Sequence, residues 1–95
     1  MVISNEVLSD LERLSTQGDP PPWLSIIEGR DQLSGESFIQ VGNDGDRRED
    51  IYVSRDSGPA SYMELDLIAA ARNYLPLMID EIRTLRARLN LLEMR

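Results

Sequence analysis

Between Ile68 and Leu92 apolar side chains recur at Ile68, Ala71, Leu75, Met78, Ile82, Leu85, Leu89 and Leu92, in alternating steps of three and four. The mean step is about 3.5 residues, the period that keeps one row of side chains along a seam between two helices. A shorter helical pattern covers residues 4–17, where Val7, Leu8, Leu11 and Leu14 fall on one face. Ser4 is placed to cap that helix, Ile3 and Leu8 occupy the staple positions around the cap, and Gly18 with Pro20 ends it. Between the two helical patterns the period changes to two. Residues 23–28, 37–41 and 50–54 read as short strands, with Ile39 and Val41 facing one way and Phe38 the other, then Ile51 and Val53 opposite Tyr52. Gly42-Asn43-Asp44-Gly45 is turn chemistry between the last two.

These periods predict an α+β fold: a helix, a three-stranded antiparallel meander, a helix, then a C-terminal coiled-coil helix. The apolar face of the meander needs cover, and the helices are the elements available to cover it. Ser61 followed by Glu64 forms a capping box at the start of the second helix. Pro76 removes a backbone donor, which predicts a kink or break at residues 73–75 and a new helix from Pro76 onward. The chain accordingly divides into a body, residues 1–75, and an oligomerisation helix, residues 76–95.

In heptad terms Leu75, Ile82 and Leu89 take the a positions, and Met78, Leu85 and Leu92 the d positions. Glu81 and Arg88 then fall at g, and Arg86 and Glu93 at e. A homo-oligomer through this seam is expected. Opposite charges meet in both parallel and antiparallel pairing, so the orientation stays open. The alternative use of the seam is packing on the chain's own sheet, with Leu77, Ile79 and Leu91 lying off it.

Composition narrows the chemistry. The chain has no Cys and no His, and all ten basic residues are Arg. Thiolate nucleophiles, imidazole bases, Schiff-base lysines and the usual zinc sites are excluded, so the expectation is a non-enzyme without cofactor or metal. The carboxylates Asp44, Asp46, Glu49 and Asp50 do not follow the spacing of a calcium loop. A net charge of -7 argues against a nucleic-acid surface and suits either simple solubility or contact with a basic protein. No stretch reads as a membrane span or a signal segment, which predicts a cytoplasmic protein.

One polar constellation stands out. Glu28, Arg30, Asp31, Ser34 and Gly35 surround the end of the first strand, and Arg47 and Arg48 precede the third. Arg forks bind phosphate or carboxylate, and glycines let backbone amides approach a ligand, so these residues are candidates for a small nucleotide-like anion. The alternative is internal pairing of Arg30 with Asp31, Glu28 or Asp50. Trp23, after Pro20-Pro21-Pro22, reads as a core anchor behind an extended spacer.

The order Leu8-x-x-Leu11-Glu12, Pro21-Pro22-Trp23, Leu65-Asp66-Leu67-Ile68-Ala69-Ala70-Ala71-Arg72-Asn73 and Leu75-Pro76-x-x-Ile79-Asp80-Glu81-Ile82 resembles small phage and prophage accessory proteins, including the early-region accessory proteins of lambdoid phages. An actinobacterial version is similar also at Glu28-Gly29-Arg30-Asp31, Ser34-Gly35, Phe38-Ile39 and Asp50-Ile51-Tyr52-Val53. The chain departs from the pattern at Asp19-Pro20-Pro21-Pro22, Leu67 and Gln32. The resemblance implies a counter-defence role in the cytoplasm of a bacterial host. The expected route is sequestering a small nucleotide-derived immune signal; the alternative is an acidic inhibitor or regulator that binds a host defence protein by surface contact.

Overall fold

A computed structural model describes residues 2–94, so Met1 and Arg95, the outermost positions of the expected 1–75 and 76–95 segments, lie outside the described residues. The elements in chain order are α1 (Asn5–Thr16), β1 (Trp23–Ile26), β2 (Phe38–Val41), β3 (Ser54–Arg55), β4 (Gly58–Pro59) and α2 (Tyr62–Glu93). They form two compact units, Asp19–Asn73 and, separately, Met1–Gly18 with Tyr74–Arg95.

In the first of these units β1 and β2 pair antiparallel, Trp23 opposite Val41 and Ile26 opposite Phe38. Ile39 and Val41 are buried, and Phe38 stacks on Tyr52 from the other face with ring centroids 5.4 Å apart. The core is Ile27, Ile39, Ala60 and Leu65, with Trp23, Ile51, Val53 and Ile68 packed against it. The N-terminal turns of α2 supply Leu65 and Ile68, one helical turn apart, so α2 covers the sheet as its period requires. α1 belongs instead to the other unit, which corrects the expectation that both helices cover the sheet.

The expected third strand is reduced to a single bridge. Ile39 and Ile51 exchange both backbone bonds at 2.9 Å, but Val41 accepts from Arg48 rather than from Glu49, the residue that would continue the ladder. A one-residue slip of this kind ends regular pairing. The chain then turns away: the Val53 carbonyl accepts from Ala60, and Ser54–Arg55 pairs with Gly58–Pro59 in a small separate ladder. The Pro21–Pro22 peptide is cis, so the proline run is not the uniform extended spacer expected of it.

α2 is one uninterrupted helix of 32 residues with Pro76 inside it. The break expected at residues 73–75 is absent. Pro76 deprives the Arg72 carbonyl of its helical donor, yet Leu75, Pro76 and Ile79 all carry buried or half-buried surface. Burial on both sides of the proline outweighs one missing hydrogen bond, as tertiary packing commonly outweighs local preference.

In the helical unit α1 begins at the expected cap, where the Ser4 hydroxyl accepts from the Val7 amide at 3.1 Å. Its exit uses Gly18 at φ 74°. Leu8 of α1 and Ile79 of α2 are almost wholly buried, flanked by half-buried Leu11, Leu75 and Ile82. The expected coiled-coil seam is thereby divided. Leu75 and Ile82 are partly covered within the chain, while Met78, Leu85, Leu89 and Leu92 remain exposed.

Candidate functional site

The turn after β1 is knit by its own backbone. The Ile27 carbonyl accepts from the amides of Arg30, Asp31 and Gln32, and the Gly29 amide donates to Gln32 at 2.7 Å. Gly29 takes φ 82°, the conformation that lets the chain fold back so tightly. The Ser37 hydroxyl accepts from the Glu28 amide at 3.0 Å, and the Gln32 side-chain amide donates to the Glu36 carbonyl, closing the loop.

That turn delivers Arg30 and Asp31 to the same place, and Arg30 becomes a hub. Its Nε donates to Asp31 at 2.9 Å, and Nη1 and Nη2 donate to the two carboxylate oxygens of Asp66 at 2.9 Å each. Nη2 also reaches the Ser25 hydroxyl at 3.3 Å, and that hydroxyl itself donates to Asp66. The paired fork is the strong form of this interaction. Hydrogen bonds from Arg30, then from Ser25, hold the Asp66 carboxyl down at about 2. Reciprocally, Asp66 and then Asp31 raise the Arg30 guanidinium above its ordinary value.

The remaining candidates are not gathered around this hub. Glu28, Ser34 and Gly35 are exposed in the same loop. Arg47 pairs with Asp50 at 2.9 Å, and Arg48 with Asp19 at 3.4 Å. Among the described residues, no ion pair joins Arg47 or Arg48 to Asp31 or Asp66, the carboxylates on Arg30. An anionic ligand here would compete with Asp66 and Asp31 for Arg30, and with Asp50 for Arg47.

Two residues outside the sequence-derived set organise this unit. Asp66 is the principal partner of Arg30. Asn73 places its side-chain oxygen on the Trp23 amide at 2.7 Å and its NH2 on the Trp23 carbonyl at 2.8 Å. Trp23 is fixed further by its indole N–H on the Asp19 carbonyl and by the Arg72 guanidinium 5.7 Å from its ring centre. The separations, 36 residues for Arg30 with Asp66 and 50 for Trp23 with Asn73, leave no local pattern that would disclose either pair.

The loop of residues 42–50 presents a different surface. Arg47 and Arg48 are engaged with Asp50 and Asp19, while Asp44, Asp46 and Glu49 are exposed and make no ion pair among the described residues. No group of three His, Cys, Asp or Glu among the described residues is placed to hold a metal ion.

In the helical unit Arg83 pairs with Glu12 at 2.6 Å and bonds the Ser9 hydroxyl, and Arg86 donates to Asn5 at 2.9 Å and to the Ile3 carbonyl. A cleft of about 200 Å³ opens between Glu12, Thr16, Pro76 and Asp80. Another side of α2 carries the exposed row of Met78, Leu85, Leu89 and Leu92, each about half to two-thirds accessible, and Leu89 also lines a second cleft with Ile3, Asn5 and Arg86.

The class the fold defines is therefore an α+β chain: two small antiparallel sheets and a long C-terminal helix, with its arginines largely engaged by its own carboxylates and carbonyls. No protein-family model, curated protein or solved structure matches the chain. Among the described residues no helix is long and apolar enough to cross a membrane.

Proposed function

We propose that this chain is a non-enzymatic, self-associating interaction protein of the phage accessory kind its sequence resembles. It acts by presenting an acidic surface to a basic partner, in that setting a host defence protein. The observation that carries the reading is the 42–50 loop. Its two arginines are drawn into pairs with Asp50 and Asp19, which leaves Asp44, Asp46 and Glu49 pointing a net negative charge at solvent. Such a surface steers a basic partner and weakens with salt. The exposed row on α2 supports self-association.

Capture of host proteins on the immobilised chain, identified by mass spectrometry, tests this. A basic protein retained by the native chain should be lost when Asp44, Asp46 and Glu49 are each replaced by Arg. The triple variant should keep its melting temperature. Retention unchanged by the charge reversal would remove the acidic loop from the reading.

Sequestration of a nucleotide-derived signal by Glu28, Arg30, Asp31, Ser34, Gly35, Arg47 and Arg48 is the rival reading. It is the less favoured because those arginines already hold carboxylates of their own chain. Calorimetry with cyclic dinucleotides and ADP-ribose derivatives should give no heat. Binding that Arg30→Ala abolishes, with intact ligand recovered afterwards, would reinstate it.

A further inference from the structure

We infer that the exposed row on α2 is the docking face for a second copy of this chain, and that the two α2 helices run antiparallel. The inference rests on the self-association reading and fixes what the heptad pattern leaves open, the orientation.

The row consists of Met78, Leu85, Leu89 and Leu92, with Ile82 half-covered at its edge. Its two flanks are not equivalent. On the e flank, Arg86 is engaged by Asn5 and by the Ile3 carbonyl. On the g flank, Glu81 and Arg88 are exposed and make no ion pair among the described residues. They lie seven positions apart, hence on one side of the helix.

A parallel dimer sets each g residue against an e residue of the other copy. Glu81 would then need Arg86, whose guanidinium is already held within its own chain, which leaves Arg88 with Glu93 as the one pair formed without rearrangement. An antiparallel dimer sets g against g. Glu81 then meets Arg88 of the second copy, and two-fold symmetry makes the pair twice. The same register serves the apolar row. Positions a then pack on positions d of the other copy: Leu75 on Leu92, Met78 on Leu89 and Ile82 on Leu85, with the two-fold axis between Ile82 and Leu85. Both charged pairs and the whole apolar row are satisfied with no rearrangement of the bonds within either chain.

The absence of Cys makes the test clean. Spin labels on Leu85→Cys should lie close together across the dimer. Labels on Met78→Cys should be separated by about 17 Å along the axis, about eleven residues at about 1.5 Å each. A parallel dimer brings both label pairs close. A charge swap gives an independent reading. Glu81→Arg alone and Arg88→Glu alone should each weaken the dimer roughly three- to tenfold, and the double variant should restore it. In a parallel dimer the double variant would not recover. Close labels at Met78, or a double variant no better than the singles, overturns the antiparallel assignment while leaving self-association standing. A monomer by light scattering at micromolar concentration overturns both.

Discussion

Arg30 shows at the scale of one residue how much a sequence conceals. That an exposed arginine near strand ends needs a carboxylate was legible, and Asp31 was among the partners the residues offered. Asp66, which takes two of its bonds, lies in α2 just past its first turn, 36 residues away in sequence. Only the fold brings it back. The consequence is an acid limit with a definite sign. Asp66 sits at about 2, below its ordinary 3.8, so its contribution is complete above about pH 4 and is lost as pH falls through 2. Acid titration followed by circular dichroism should show that loss. Asp66→Asn should lower the melting temperature at neutral pH and flatten the curve between pH 4 and pH 2. Two other residues admit little change. Leu65 is 1% exposed, and Leu65→Ala should cost about 2–5 kcal/mol in denaturant titration. At Gly42 an added Cβ would lie 2.1 Å from the Asp46 carbonyl oxygen at φ 87°. Gly42→Ala should therefore destabilise by roughly 2 kcal/mol or more, and an unchanged midpoint would mean the turn has another conformation available.

At the scale of the element, the long periodic patterns were legible and the short ones were not. α1 starts at Ser4 and α2 at the Ser61–Glu64 box, whose carboxylate takes the Ser61 amide at 2.8 Å, because caps are local chemistry. The alternation at Ile51, Tyr52 and Val53 was equally real, and their side chains face as expected. What the pattern could not reveal was a register slip decided by how the 42–50 turn packs. Pro76 misleads for the opposite reason: the local rule is correct, and burial around it prevails. It follows that restoring the missing donor should help. Pro76→Ala should raise stability by on the order of 1–3 kcal/mol, read from the thermal midpoint. A loss instead would mean that the proline ring fills the Glu12–Asp80 cleft to more effect than a hydrogen bond.

At the scale of the whole molecule, charge is the dominant fact. With no His, Cys or Lys, no side chain of ordinary pKa titrates between about pH 5.5 and pH 9, and the side-chain charge of -7 is nearly constant across that range. The proposed self-association through α2 should accordingly be insensitive to pH there. Sedimentation at pH 5.5 and pH 8.5 should give the same mass. The pairing of Trp23 with Asn73 has a consequence for a solution crowded with copies of this chain. The outward backbone of β1 is a template to which a stranger's strand could add. Asn73 closes that template at Trp23 with a donor and an acceptor, as a neighbouring strand would, and Asp31 closes it again by accepting from the Ile27 amide. Asn73→Leu keeps the helix and opens the edge. Its expected mark is slow, concentration-dependent growth of thioflavin-binding fibrils, faster than for the native chain under the same conditions.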